Sequence, residues 1–269
     1  MTHKTLQRVL FVISLCAMAT LPAAADEWSK TYNLTGNPKL QVETSDANIR
    51  VTTWDQNKIE ATVITTRYKI GEDGIRIEER QNGDDVEINV RFPHHDFEIM
   101  HVEWNHRVDI IIQMPREGKL NLHTGDGKID VAGLKGELDL HSGDGSETLD
   151  GIDGKLRAST GDGHIHASGR FDQLELKTGD GHLDVRAAQG SSLSDGWRLE
   201  TGDGNVSLEV AGDLAADVDL HTNDGHIDLD MPVTTAGTMR AGQVRGKLNG
   251  GGSPLTIRTG DGSIHLRKG

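Results

Sequence analysis

The stretch LNLHTGDGKIDVAGLKGELDLHSGDGS, residues 120–146, decides the fold. Before each Gly-Asp-Gly, aliphatic or hydroxyl residues fall at every second position: Leu120, Leu122, Thr124, then Leu138, Leu140, Ser142. After it the alternation resumes with Ile129 and Val131. Period two is the mark of a strand with one buried face, so each unit reads as strand, tight corner, strand and a second turn served by Gly133 and Gly136. The signature starts at residues 124, 142, 160 and 178, spaced by 18 each time, and returns at 201, 222 (with Asn223 for the first Gly) and 259, at spacings of 23, 21 and 37. The last interval is close to two periods, which suggests a coil lacking the signature. A repeat this short has no room for helical crossovers. The expected fold is all-β, a right-handed parallel β-helix or β-solenoid of ~18-residue coils, in which stacked coils bury a continuous core that none could bury alone.

Outward from this region, the N-terminal half alternates more loosely, in KLQVET, ANIRVTT, KIEATVITTRYK, GIRIEER and DVEINVRF. Turn signals such as Asn82-Gly83-Asp84 separate these runs. Thr44-Ser45-Asp46-Ala47-Asn48-Ile49 resembles a degenerate first corner. The expected organisation is β-rich coils or a cap over residues 26–118, which blunts an open sheet edge, and regular repeats over 119–269, as one continuous domain. Residues 1–25 have a basic head (Lys4, Arg8), an apolar run too short for a comfortable span and a small-residue cleavage pattern ending at Ala25. They read as a secretory signal peptide.

Its removal takes away the only cysteine, so the mature chain has no thiol for a disulfide, a nucleophile or a zinc site. It also takes two basic residues and no acidic ones, so formal charge falls from 28 − 42 = −14 to 26 − 42 = −16. Such an acidic surface repels phosphate backbones and anionic lipid, which argues against nucleic acid. No second apolar run is long enough to span a membrane. The expected location is the periplasm, the cell surface or the medium.

The alternating N-terminal half leads through VDIIIQMP, residues 108–115, into the repeats, and GGGSPLTIRTGDGSIHL, residues 250–266, closes them. In this arrangement the chain resembles the bacterial putative-adhesin family, a domain of unknown function. The resemblance spans essentially the whole mature chain and implies a right-handed β-helix-like architecture. It implies no catalytic residues.

Two kinds of outward row could carry function. Asp126, Asp144, Asp162, Asp180, Asp203, Asp224 and Asp261 should project from one edge, rung above rung. Gly supplies positive φ and Asp accepts backbone N–H bonds in a tight corner, so the row is accounted for by turn chemistry. Stacked carboxylates could also hold Ca²⁺. If this edge binds anything, one Asp should matter little and several in adjacent coils much. The Thr or Ser of each corner shares the parity of the buried Leu residues, so its hydroxyl should point inward to satisfy the turn. His164 and His182 follow the corner in adjacent coils and should lie about 4.8 Å apart, with His226 in the same place in a later coil. His123, His141 and His221 precede the corner. Such rows could hold Zn²⁺ or Cu²⁺, or be solvated strand faces. His94, His95, Asp96, His101, Glu103 and His106 form the densest local cluster, without a metalloprotease spacing. Glu147 falls where other coils place Ile or Leu, and a local bulge is expected to expel it.

No nucleophile elbow, P-loop or dinucleotide fingerprint is present. The reading is therefore an exported, non-enzymatic solenoid that acts as an adhesin or envelope scaffold and binds a glycan or an envelope protein through a repetitive face. Two alternatives stay open: a divalent-metal-binding envelope protein, and a polysaccharide-active β-helix enzyme.

Overall fold

The structure is a computed structural model that describes residues 25–66, 68–93, 107–235 and 242–269. Residues 1–24, the bulk of the expected signal peptide, and residues 94–106, which hold the expected histidine cluster, lie outside the described residues. Every regular element is a strand. The N-terminal part comprises β1 (Ala25–Asn33), β2 (Lys39–Thr44), β3 (Asn48–Trp54), β4 (Lys58–Thr66), β5 (Arg76–Asn82), β6 (Asp85–Arg91) and β7 (Arg107–Pro115). The regular part runs through β8 (Glu117–Thr124), β9 (Ile129–Ala132), β10 (Lys135–Ser142), β11 (Glu147–Thr160), β12 (Ile165–Thr178), β13 (Leu183–Ala187), β14 (Trp197–Thr201) and β15 (Val206–Val210). The chain finishes with β16 (Ala216–Thr222), β17 (Ile227–Leu229), β18 (Val233–Thr235), β19 (Gln243–Leu248), β20 (Pro254–Thr259) and β21 (Ile264–Lys268). All belong to one open sheet folded into stacked coils.

Successive coils pair in parallel and in register. Leu120 meets Leu138, Leu138 meets Leu156, and Leu156 meets Leu174. On the other side of the corner Ile129 meets Glu147, which meets Ile165, then Leu183. Like thus stacks on like, and the inward columns form the core. Leu122, Leu140, Leu176 and Leu199 are essentially inaccessible. A one-residue slip would turn every one of these side chains outward, so the buried face locks the register. Buried aromatic volume is confined, among the described residues, to Tyr32 in β1 and to Phe171 and Trp197 around the insertion between β13 and β14. There Trp197 packs edge-on against Phe171 at 6.2 Å, and its Nε1–H donates to the Ser192 carbonyl.

Both ends depart from simple succession. At the start, β2 and β3 form a true coil directly beneath β8 and β9, with Thr44 to Asn48 as its corner. The chain then detours through β4 and the β5–β6 hairpin, and β6 and β7 lie beneath that first coil. Antiparallel β1, β4 and β5 finish this end. At the other end, β14 pairs with β20 and β20 with β16, while β15 pairs with β21 and β21 with β17. The C-terminal coil is therefore inserted between the two coils that precede it in sequence. Among its described residues, the interval of 37 residues contains no coil without a signature. It contains β18 and β19, which run antiparallel as a cover over β16.

Glu147 also departs from the sequence expectation. Its register with Ile129 and Ile165 is unbroken, the irregularities in β11 lie beyond Leu149, and the side chain is 1% exposed. No bulge expels it.

Candidate functional site

The eight corners stack in the order Thr44, Thr124, Ser142, Thr160, Thr178, Thr201, Thr259, Thr222, and one hydrogen-bond pattern repeats along them from Thr124 onward. The inward hydroxyl donates to the carbonyl of the coil beneath. Thr178 Oγ1 reaches the Gly163 oxygen at 2.8 Å, Thr259 the Gly204 oxygen at 2.7 Å and Thr222 the Gly262 oxygen at 2.7 Å. The first in the series, Thr124, uses Ala47. The same oxygen accepts the N–H of its own corner's second glycine, as from Gly145 to Ser142 and Gly181 to Thr178. Ser142, Thr160, Thr178, Thr201 and Thr259 thus each satisfy two backbone groups that would otherwise be stranded, whereas the Thr44 hydroxyl at the first corner has no partner.

The corner glycines act differently from expectation. None has a positive φ; those values belong to glycines of the second turn and the loops, among them Gly133, Gly136, Gly151 and Gly154. A Cβ on Gly163 would lie 2.1 Å from the Gly145 oxygen, and on Gly181 1.9 Å from the Gly163 oxygen. The corner needs glycine because the coils touch there. Asn223 illustrates the cost: its amide sits 2.9 Å from the Gly260 oxygen, against 2.5–2.6 Å at Gly143, Gly179, Gly202 and Gly260.

Asp126, Asp144, Asp162, Asp180, Asp203, Asp261 and Asp224 form the expected edge column, in that spatial order. Asp126, Asp144, Asp162, Asp180 and Asp203 lean over the next corner, Asp144 Oδ1 lying 3.1 Å from where a Cβ of Gly161 would be. Glycine at the first corner position therefore also makes room for the carboxylate below it.

His164 and His182 stack with ring centroids 4.9 Å apart and 3° between planes, and His123 and His141 at 4.8 Å and 14°. Neither row continues as histidine. Asn205 and Ser263 separate His182 from His226, because the C-terminal coil intervenes. The post-corner position has a role that spacing alone did not reveal. Its side chain accepts the backbone N–H of the same position one coil on: Asn48 from Lys128, Ser146 from His164, His164 Nδ1 from His182, His182 Nδ1 from Asn205, Asn205 from Ser263 and Ser263 from His226. The sequence signal was there, since every residue in this place except Lys128 has a side-chain acceptor close to the backbone. An Nδ1 that accepts leaves the proton on Nε2. To bind a metal through Nε2, these rings would have to release the backbone amide. Among the described residues, no three His, Cys, Asp or Glu side chains converge on a point where a metal ion could sit.

The outer face of the strands leading into the corner has a different order. Rows of alternating charge cross the coils: Lys119–Glu137–Lys155, and Asp139–Arg157–Glu175–Arg198. Neighbours pair, Lys119 to Glu137 at 2.5 Å, Lys135 to Glu117 at 2.6 Å and Arg157 to Glu175 at 3.0 Å. The hydrogen bond and charge of Lys119 hold the Glu137 carboxyl below its ordinary range, and Glu117 raises Lys135 likewise. Between the Lys119 row and the Glu117–Lys135–Asp153 row lies the glycine column Gly118–Gly136–Gly154, which contributes no side chains. The result is a groove of about 660 Å³ along the stack. Arg170, held by Asp153 and Asp172, and residues 37–39 mark its two ends. A second groove of about 270 Å³ lies across the Lys119 ridge, lined by Asn121, Asp139, Arg157 and Gln173.

Glu147 lies inside. Neither carboxylate oxygen has a hydrogen-bond partner. Burial pushes its carboxyl up to about 8, with the nearby Ser142 backbone amide offsetting part of the rise.

Stacked parallel coils with a corner ladder of this kind define the class: an all-β, solenoid-like repeat protein. The family model described as Toastrack DUF4097 matches residues 37–193 and again 155–267, and the chain belongs to that family. No curated protein matches the chain. It is similar to solved structures of a putative cell adhesion protein from Clostridium sporogenes (12% identical, TM-score 0.45, covering 91% of this chain and 100% of that one). It is also similar to a putative lipid binding protein from Parabacteroides distasonis (13%, 0.43, 90% and 96%) and a putative adhesin from Bacteroides fragilis (11%, 0.34, 89% and 96%).

Proposed function

We propose that this chain is an exported, non-enzymatic, adhesin-like scaffold of the bacterial envelope, which holds a glycan or an envelope protein through a repetitive outer face. On this proposal residues 1–25 are removed on export, and the mature chain works in the periplasm or at the cell surface as one continuous domain. It takes the winding as right-handed, the hand that parallel crossovers adopt, with a coil near 18 residues wherever no insertion interrupts it. The observation that carries the reading is the register: outward side chains recur in columns at about 4.8 Å steps, carboxylates along the corner edge and alternating charges on the strand face. Among the described residues, no helix is long and apolar enough to cross a membrane.

The test is co-sedimentation of the mature chain with isolated cell-wall glycan and with outer-membrane fragments. Retention on either supports the reading; loss of all the protein to the supernatant in both sinks it. Titration of the same preparation with Ca²⁺ and Zn²⁺ separates out the metal alternative. A raised melting temperature with either ion would move the function to the Asp126–Asp180 row or the His164–His182 pair.

A further inference from the structure

The groove beside the glycine column differs from the rest of the surface. Its charged lining comprises five cations (Lys39, Lys119, Lys135, Lys155, Arg170) and five anions (Asp85, Glu117, Glu137, Asp153, Asp172), so it sums to zero on a mature chain of formal charge −16. Most of these groups are already paired across neighbouring coils. A polyanion would meet the field of the whole molecule, and a polycation would be drawn to the Asp edge instead. An ammonium engaged by one carboxylate oxygen still has donors to spare, and the carboxylate still has lone pairs. Each rung therefore offers a donor and an acceptor side by side, the arrangement that a hydroxyl can use in both roles.

The dimensions narrow the ligand further. The groove crosses four rungs, at residues 38–39, 118–119, 136–137 and 154–155. At strand spacing that is roughly 14 Å. It does not run on, because the glycine column ends where Phe171 takes the place of glycine opposite Gly154, and Asp172 is inserted there. The volume falls within the range of small-ligand sites. A Cβ on Gly136 would lie 2.0 Å from the Gly118 oxygen, so close packing of the coils keeps the glycine column free of side chains.

We propose that this groove binds an uncharged oligosaccharide, a short run of linked sugars lying along the stack with its hydroxyl groups shared between the lysine and carboxylate of each rung. This rests on the glycan form of the function proposed above. The test is calorimetric titration of the mature chain with neutral hexasaccharides (malto-, cello-, xylo- and chito-oligomers), with polygalacturonate and polylysine as charged probes. Three variants are compared: K119A/E137A, which removes one rung's pair; E137W, which places a bulky ring on the exposed ridge; and D144N/D162N/D180N on the corner edge. The expected result is binding of at least one neutral hexasaccharide, insensitive to salt. It should weaken about tenfold or more in K119A/E137A and in E137W, the worth of one or two hydrogen bonds to charged groups, and stay unchanged in the Asp variant. Binding of no neutral hexasaccharide, binding of a charged polymer alone, or binding that both groove variants leave intact overturns the groove. Loss only in the Asp variant also overturns it, while leaving the adhesin-like reading in place. Absence of co-sedimentation with every envelope fraction would remove that reading by itself.

Discussion

Each regular coil turns twice, and glycine marks both turns for different physical reasons. At the Gly-Asp-Gly corner the backbone is unstrained, but the coils approach so closely that a Cβ would enter the carbonyl beneath, 2.1 Å from it at Gly163. At the second turn the glycines divide: Gly151 has φ +64° and an added Cβ would meet only ordinary contacts at 3.8–3.9 Å, whereas Gly136 and Gly154 combine positive φ with an approach to the coil beneath, 2.0 and 2.3 Å from its carbonyl oxygen. The Gly-Asp-Gly corner needs glycine for its neighbour, Gly151 for itself. The first kind of constraint exists only in a stack; the second would hold in an isolated turn. This difference explains why the corner motif recurs along the chain, whereas the second turn tolerates irregularity in β11 and β12.

The two kinds of glycine are most directly separated at Gly163. The G163A variant has an allowed φ and no room, so the coils on either side of it must part and their ladder bonds lengthen. A loss on the order of 5 kcal/mol is expected, or a chain that does not fold, since nothing but backbone can give way. Denaturant midpoints measure it; a loss below about 1 kcal/mol would show that the stack is elastic there.

Glu147 breaks the pattern within one coil, between Ile129 and Ile165. With a folded-state value near 8 and an ordinary value of 4.5, the native state holds one more proton than the unfolded chain between those pH values. This contribution is fully present below about pH 4.5 and declines as pH rises toward 8, by on the order of 4 kcal/mol. E147L and E147Q should flatten the slope between pH 5 and 8, and E147L should be the more stable protein at pH 8. Melting curves across that range decide it, and parallel slopes in wild type and both variants would contradict the buried acid. Ser142, the only serine among the corner hydroxyls after Thr124, belongs to this same coil.

A subtler break is T178V, which keeps the shape and removes the hydroxyl. It strands the Gly163 carbonyl and the Gly181 N–H in the interior and should cost about 1–3 kcal/mol. No loss would mean that water reaches the corner.

Local pattern carried far in this chain. Alternation placed the strands, parity turned Thr124 and Thr178 inward, and the 18-residue spacing put His164 against His182 at nearly the observed distance. It misplaced whatever depends on which coil lies next to which. The coils at 201, 222 and 259 have the same motif, so any could stack on any other, and only non-local packing seats the last between the first two. That insertion also divides the histidine rows. Glu147 misled because a carboxyl in an apolar column ordinarily signals a bulge. The grooves were hidden because Gly118, Gly136 and Gly154 read as turn residues, and the channel they leave exists only between stacked coils.

The smallest expected effect isolates the second turn. At Gly151 a side chain meets open contact distances but a left-handed backbone, so G151A should lose about 1–2 kcal/mol. Asparagine tolerates that region through its local hydrogen bonds, and this chain already uses it at Asn249, φ 47°. G151N should therefore recover part of the loss, whereas G163N should be at least as damaging as G163A, because no backbone preference creates space. Equal recovery by asparagine at both positions would show that the two corners share one constraint after all. Recovery at Gly151 alone would establish that glycine is required by contact between coils at Gly163 and by conformation within a coil at Gly151.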